Sequence, residues 1–246
     1  MLSHGVLTLP RRLIPALMLL AAEGTPPPSA VAELERCGVA PGGLLSPNAT
    51  GLVAVMTDPD LVVSIEVTTR DATNRSTIWA TAERAVWGRP VELDVYQLRS
   101  IDTVTVPLLL AQLTGVGKRP ETPFTGSVTV AADALDAALD WQADDPETAL
   151  AILASVGADP VWADRILIAH QHRRAQWTVS SVWIGQAGGH EVHEATVLDA
   201  GHAGYWRIAS AEPGTVTYTV ASLHEIMRVL RRCLPARALT STTDPG

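Results

Sequence analysis

Apolar positions recur along the 246-residue chain in two rhythms, and each rhythm predicts an element type. A period of about 2 marks a half-buried strand, and a period near 3.6 marks an amphipathic helix. Val6 to Leu9 reads as a strand, and Pro10, tolerated in a first helical turn, opens a helix to Ala22. Gly24 to Pro28 is a rigid linker. Ser29 is placed to cap a helix with Val31, Leu34 and Cys37 at helical spacing, ended by Gly38. Ser46-Pro47 starts another helix that reaches Thr57. Leu61 to Thr68, rich in β-branched residues, is a strand, and Arg70 to Arg75 is a polar connection. Strands follow at Thr77 to Ala82, Arg84 to Trp87 and Val91 to Leu98. The last sets Val91, Leu93 and Val95 on one face against Glu92, Asp94 and Tyr96. A helix begins near Thr105, with Pro107 in its first turn, and stops at Gly115.

Gly117 to Gly126, with its glycines, prolines and polar residues, is the best internal boundary. Beyond it the plan repeats. Helices are predicted over Leu135 to Trp141, from Asp145-Pro146 to Gly157, and from Asp159-Pro160 to His172. Strands are predicted at Trp177 to Ile184, Glu191 to Leu198, Tyr205 to Ala209 and Thr215 to Val220. Ser222 and Glu225 form a capping box for a last helix that buries Leu223, Ile226, Met227 and Leu230 and stops at Pro235. The two strand sets lie roughly 115 residues apart, with an extra helix in the second. The expectation is one α+β domain over residues 1–240, made of two similar halves at about 1–118 and 127–235 in pseudo-twofold relation, with antiparallel sheet. The polar tail 236–246 reads as disordered.

Composition narrows the function. Apolar residues are 47% and charged residues 18%, which excludes disorder for most of the chain. A formal charge of −8 repels phosphate and argues against nucleic acid as a partner. No apolar run reaches the ~18–20 residues that span a bilayer. Arg11-Arg12 before Leu13 to Ala22 resembles a secretory signal, but Pro15 interrupts the run and Glu23-Gly24 stands where a cleavage site belongs. Cys37 and Cys233 are too far apart for a metal knuckle or redox motif and read as reduced core thiols.

Candidate chemistry is sparse. His190 and His193, three apart on a strand, point to opposite faces, and His170 and His172 diverge near a helix end, so all read as solvated. There is no Gly-x-Ser-x-Gly elbow, and Gly115-Val116-Gly117-Lys118 lacks the spacer of a phosphate loop. Asp144 and Asp145 are better explained as helix caps than as an acid/base pair. No cofactor, metal or catalytic residue is assigned. Trp177 and Trp183 share one strand face, and Trp79 is placed on the equivalent strand of the first half; core packing and an aromatic binding surface both fit them. Two alternatives stay open: an interaction domain for some other partner, a second copy included, and a hydrolase built on His190, His193 or His202.

The stretch from Ala32 to Val67 carries a resemblance. A helix ending in Gly38, a glycine turn, leucine, a helix capped at Ser46, Asp58-Pro59 and a strand are together similar to the EspG family. So are the opening Gly5-Val6-Leu7-Thr8-Leu9 and the close, Gly204-Tyr205, the strand from Thr215 and Ala221-Ser222-Leu223 before a helix. Family members often show Gly-Arg-Tyr where this chain has Ala203-Gly204-Tyr205, and a longer loop where it has Arg70 to Arg75. The resemblance implies a cytosolic chaperone of type VII (ESX) secretion, as in mycobacteria and related actinobacteria. It implies a central antiparallel sheet with two helical bundles, and binding of a PE–PPE heterodimer through the apolar tip of the PPE subunit. It implies no reaction and no cofactor; a monomer or weak homodimer is expected. Arg70, Asp71, Asn74 and Arg75 are then a candidate polar rim, with Trp79, Trp183, Met227 and Leu230 as candidate contacts; core packing is the other reading of Met227 and Leu230.

Overall fold

The structure, a computed structural model, describes residues 5–120, 124–185, 188–210 and 212–235. Each half contributes a strand, three helices, four strands and a helix. The first half holds β1 (Val6–Pro10), α1 (Ile14–Ala21), α2 (Pro28–Arg36), α3 (Pro47–Thr57), β2 (Leu61–Thr68), β3 (Thr73–Ala80), β4 (Arg84–Glu92), β5 (Val95–Asp102) and α4 (Val106–Thr114). The second holds β6 (Ser127–Ala131), α5 (Ala132–Trp141), α6 (Pro146–Ser155), α7 (Pro160–Gln171), β7 (Ala175–Ile184), β8 (His190–Asp199), β9 (Tyr205–Ala209), β10 (Thr215–Ala221) and α8 (Leu223–Arg232). The strands form one sheet in the order β1-β5-β4-β3-β2-β7-β8-β9-β10-β6, antiparallel throughout. That order reads as the same plan from either edge. The pseudo-twofold therefore lies between β2 and β7, which pair from Leu61↔Trp183 to Thr68↔Gln176.

The two faces are covered differently. On one, α4 and α8 seal a core of Val63, Ile65, Ile78, Trp177, Val179 and Tyr205. On the other, α1–α3 pack over the β1 flank around Leu9, Leu17, Leu52 and Leu98, and α5–α7 pack over the β6 flank around Leu153, Ile166 and Trp206.

Local signals set most helix starts. Proline stands in the first turn of α1, α2, α3, α4, α6 and α7, where its missing N–H is not needed. Ser46 accepts from the Ala49 N–H, Asp145 from Thr148, and Asp159 from Val161 and Trp162. Ser222 and Glu225 form the expected capping box. Gly115, at φ 65°, ends α4 in a left-handed conformation.

Several expectations are corrected. Val91 to Leu98 is not one strand: the chain turns at Leu93-Asp94, with a register shift between Pro90 and Glu92, and Leu93 is fully exposed. Alternation continued through a tight turn and hid it. Strand β3 begins at Thr73, so the polar connection shrinks to a turn over 69–72. Strand β6 was not anticipated, because five residues give too short a pattern. Both halves carry three helices before the strands, so the second has no extra one. The N-cap of helix α2 is Pro27, without a side-chain cap, and not Ser29, and the cap of α6 is Asp145, not Asp144. Leu223 is exposed and Val229 is buried in its place. Cys37 is exposed; Cys233 is the core thiol, pushed by burial up to about 11. The signal-like segment is a short 3-10 turn (Arg11–Leu13) followed by α1, with Leu13, Ala16 and Leu17 buried. The tail expected to be disordered lies outside the described residues.

Two polar clusters hold the second half. Arg119 grips Asp199 with two guanidinium nitrogens (Nε–Oδ1 2.9 Å), and Asp199 also accepts the Gly201 N–H at 3.0 Å. The Tyr205 hydroxyl accepts from the Gly117 N–H and donates to the Gly117 carbonyl, both at 2.9 Å. These bonds fasten the segment between the halves to β8 and β9. His170, expected to be solvated, is instead half-buried, with Nε2 2.9 Å from the Tyr218 hydroxyl. Burial, helped by Arg173, lowers its pKa to about 4. Burial raises that of Tyr218, with Asp136 and Arg173 as the charges that act on it.

Two outcomes are expected. Arg119→Met leaves the Asp199 carboxylate buried without its partner and lowers the unfolding free energy by about 3–5 kcal/mol in urea denaturation. A depressed folded pKa for His170 means the unfolded state binds more protons between its ordinary value and about 4. This contribution is intact above pH ~6.5 and is lost as pH falls toward 4, amounting to about 3 kcal/mol. His170→Gln, which keeps a partner for Tyr218, should flatten that part of the pH–stability curve.

Candidate partner-binding surface

The two helical bundles stand on the same face of the sheet and leave β2, β7 and parts of β3 and β8 open between them. This concave saddle follows from one-sided burial. Along β2, Leu61, Val63 and Ile65 are buried under α4 and α8, while Ser64 is exposed and Val62 and Glu66 are half-buried. Along β7, Trp177, Val179, Ser181 and Trp183 face inward, and Thr178, Ser180, Val182 and Ile184 face the saddle.

The saddle floor has two parts. Its middle is polar and low, because Ser64, Thr77, Thr178 and Ser180 are small. Here a cleft of about 370 Å³ opens beside the first bundle, lined also by Arg11, Glu66, Arg75 and Tyr96. Glu66 accepts from Arg75 Nε at 2.6 Å, Thr178 bonds Thr196 at 3.0 Å, and Ser180 donates to Glu194 at 3.0 Å. Burial pushes the Tyr96 phenol above its ordinary value, so it serves as a neutral hydrogen-bonding group. The far end is aliphatic: Val182 and Val192 are cross-strand partners, 37% and 68% exposed, and Ile184 beside them is 58% exposed. An apolar patch with a polar surround has the anatomy of a protein-binding surface.

By sequence, the chain matches no protein-family profile and no curated protein. By structure, it is similar to a solved Mycobacterium tuberculosis protein, the type VII secretion system chaperone EspG5 in complex with a PE25–PPE41 dimer. The match has a TM-score of 0.59 and covers 94% of this chain and 97% of that one, at 13% identity. The fold is EspG-like. The similar structure is that of a chaperone.

Within this EspG-like fold the candidate residues separate. The turn at 69–72 is closed by a hydrogen bond from the Thr69 N–H to the Ala72 carbonyl. Arg70 reaches from it to the Gln171 carbonyl at the end of α7, and Asp71 is exposed. Asn74 and Arg75 are exposed residues of β3, not of a loop. Trp79 lies on the saddle face, half-buried against the first bundle. Trp183 lies on the opposite face, buried with His193 stacked on it at 4.5 Å. The expected common aromatic surface is therefore corrected: β7 corresponds to β2 of the first half, not to β3. Leu230 is buried and Met227 half-buried in the same core as Trp183. Sequence reasoning missed Val182, Ile184 and Val192: Val182 and Ile184 alternate with buried Ser181 and Trp183, but alternation does not say which side meets solvent.

The histidines of the hydrolase reading are not brought together. His190 and His193 lie on opposite faces of β8, and His202 packs on His172 beyond the other end of that strand. Among the described residues, no group of three or more His, Cys, Asp or Glu is placed to hold a metal ion. Among them, too, no helix is long and apolar enough to cross a membrane.

Core and surface positions should differ sharply in chemical denaturation. Trp183→Ala is expected to cost about 3–5 kcal/mol and Leu230→Ala about 2–5 kcal/mol. Arg70→Ala should change stability by no more than about 0.5 kcal/mol.

Proposed function

We propose that this chain is a cytosolic chaperone of type VII secretion that binds a PE–PPE-type heterodimer on the saddle between its bundles. The observation that carries the reading is the fold match over 94% of the chain to a chaperone solved with such a dimer. The physics supports it. A helical substrate with an apolar tip aggregates unless the tip is covered. Val182, Ile184 and Val192 offer an apolar landing at one end of the saddle, and Glu66, Arg75 and Glu194 offer polar contacts beside it. Arg70 and Asp71 on the β2–β3 turn extend the rim, whereas Asn74, opposite Val67, turns to the α4 and α8 side of the sheet and lies outside it. Trp79 forms part of the saddle wall, whereas Trp183, Met227 and Leu230 act from below by holding the strands in place. Such a mixed surface suits a partner that must be released before export.

Co-expression with PE–PPE pairs of the same organism, followed by light scattering on a sizing column, tests the proposal. A 1:1:1 complex is expected. Ile184→Glu and Val192→Glu should each weaken it at least tenfold with an unchanged melting temperature. Absence of a complex with every pair, from a folded chain, would refute the chaperone reading.

A further inference from the structure

Helices α4 and α8 hold equivalent places on the face opposite the saddle and pack against each other, yet their solvent sides differ. Helix α8 exposes Arg228, Arg231 and Arg232, and among the described residues none of them has an ion-pair partner. Helix α4 carries no charged residue at all, and the uncharged stretch extends over residues 103–117. Leu108 is 61% exposed, and Val104, one turn earlier, is 56% exposed. Single exposed leucines are ordinary. Here, however, the same position in a repeated plan is solvated by arginine in one half and left aliphatic in the other.

The aliphatic side borders a built groove. Helix α4 and strands β4 and β5 enclose about 300 Å³, lined by Trp87, Arg99, Ile101, Leu108, Leu109 and Leu113 among others. Arg99 is the only charged residue of that lining, and it has no ion pair among the described residues. The Arg89 guanidinium sits 4.7 Å from the centre of the Trp87 ring, and the buried Trp87 indole nitrogen has no hydrogen-bond partner among the described residues. Arg84 and Asp102 lie opposite each other at one end of the strand pair, which leaves that end neutral. The groove is thus apolar with an unneutralised positive side, on a chain whose net charge is −8.

We propose that this groove docks an amphipathic helix of a partner protein, one whose apolar stripe is flanked by Asp or Glu. Val104, in the 3-10 turn Thr103–Thr105 that leads into α4, and Leu108 on α4, four residues apart, make a ridge that meshes with side chains at i, i+3 and i+4 of a second helix. Addition of a strand is excluded at this place, because β4 and β5 are paired on both edges. A half-buried tryptophan beside arginines is a common composition of a binding hot spot. Acidic flanks on the guest satisfy Arg99, and the arginines of α8 favour its approach. The site is on the opposite side of the sheet from the saddle, so it is separate from the surface proposed for the PE–PPE dimer.

The test places a photo-crosslinking amino acid at Leu108, and as a control at exposed Leu44, in the full chain expressed in its own organism. Adducts are sequenced by mass spectrometry. The expected result is a position-108 adduct to a segment of another protein with helical apolar spacing and adjacent Asp or Glu. Arg99→Glu should cut its yield at least fivefold without changing the thermal melt, and Arg99→Lys should preserve it. Ile184→Glu, which addresses the saddle, should leave it intact. Adducts only to a second copy of this chain, only to basic or non-helical segments, or none above the Leu44 control overturn the proposal.

Discussion

The pairing of β2 with β7 joins two five-stranded half-sheets into one, and every other feature of the molecule hangs on that seam. It is eight residues long, and its inward side chains are among the most buried in the chain: Val63, Ile65, Trp177 and Val179. Full burial of each such side chain contributes about 1.5–3 kcal/mol, more than the roughly 1 kcal/mol net of a ladder hydrogen bond. The seam is therefore held chiefly by the core beneath it. That core exists because α4 and α8, the last elements of the two halves, meet over the axis.

From this arrangement the saddle is a consequence. The three-helix bundles need apolar strand faces, and they find them on the flanks, at Leu98 and Val86 in one half and Leu198 and Trp206 in the other. The central strands turn serine, threonine and charged residues to that side and cannot be capped by an apolar bundle without burying unpaired polar groups. An open floor between two walls results. Its polar groups are paired with one another across the strands, Glu66 with Arg75, Thr178 with Thr196 and Ser180 with Glu194.

The segment between the halves shows how a polar cluster can serve the same end. A buried Arg119–Asp199 pair is weak as a source of net stability, because its desolvation cost offsets most of the attraction. It is strong as a fastener: both ends must be in place, and Tyr205 closes on the backbone of Gly117 beside it. The two halves are thus linked at a defined point of β8 and β9.

Strand β2 and helices α3, α4, α6, α7 and α8 were legible in the chain itself, because proline, capping residues and β-branched runs act within a few residues of where they stand. The repeat of plan was legible for the same reason. The turn at Leu93-Asp94 and the short strand β6 were not, since alternation cannot reveal a break that preserves its phase, nor a strand of five residues. The Arg70 to Arg75 stretch could be marked as polar, but its division between a turn and strand β3 depended on pairing with β2. Which face Trp79 and Trp183 occupy was beyond local reading, because a face is set by register with a neighbouring strand. The exposed aliphatic end at Val182, Ile184 and Val192 was hidden likewise: alternation shows that two sides differ, and only the placement of the bundles decides which side meets solvent. The sequence by itself determined the elements and their twofold plan, through local propensity and periodicity. The tertiary structure alone decided what is surface and what is core, because burial belongs to the assembled sheet and not to any one strand.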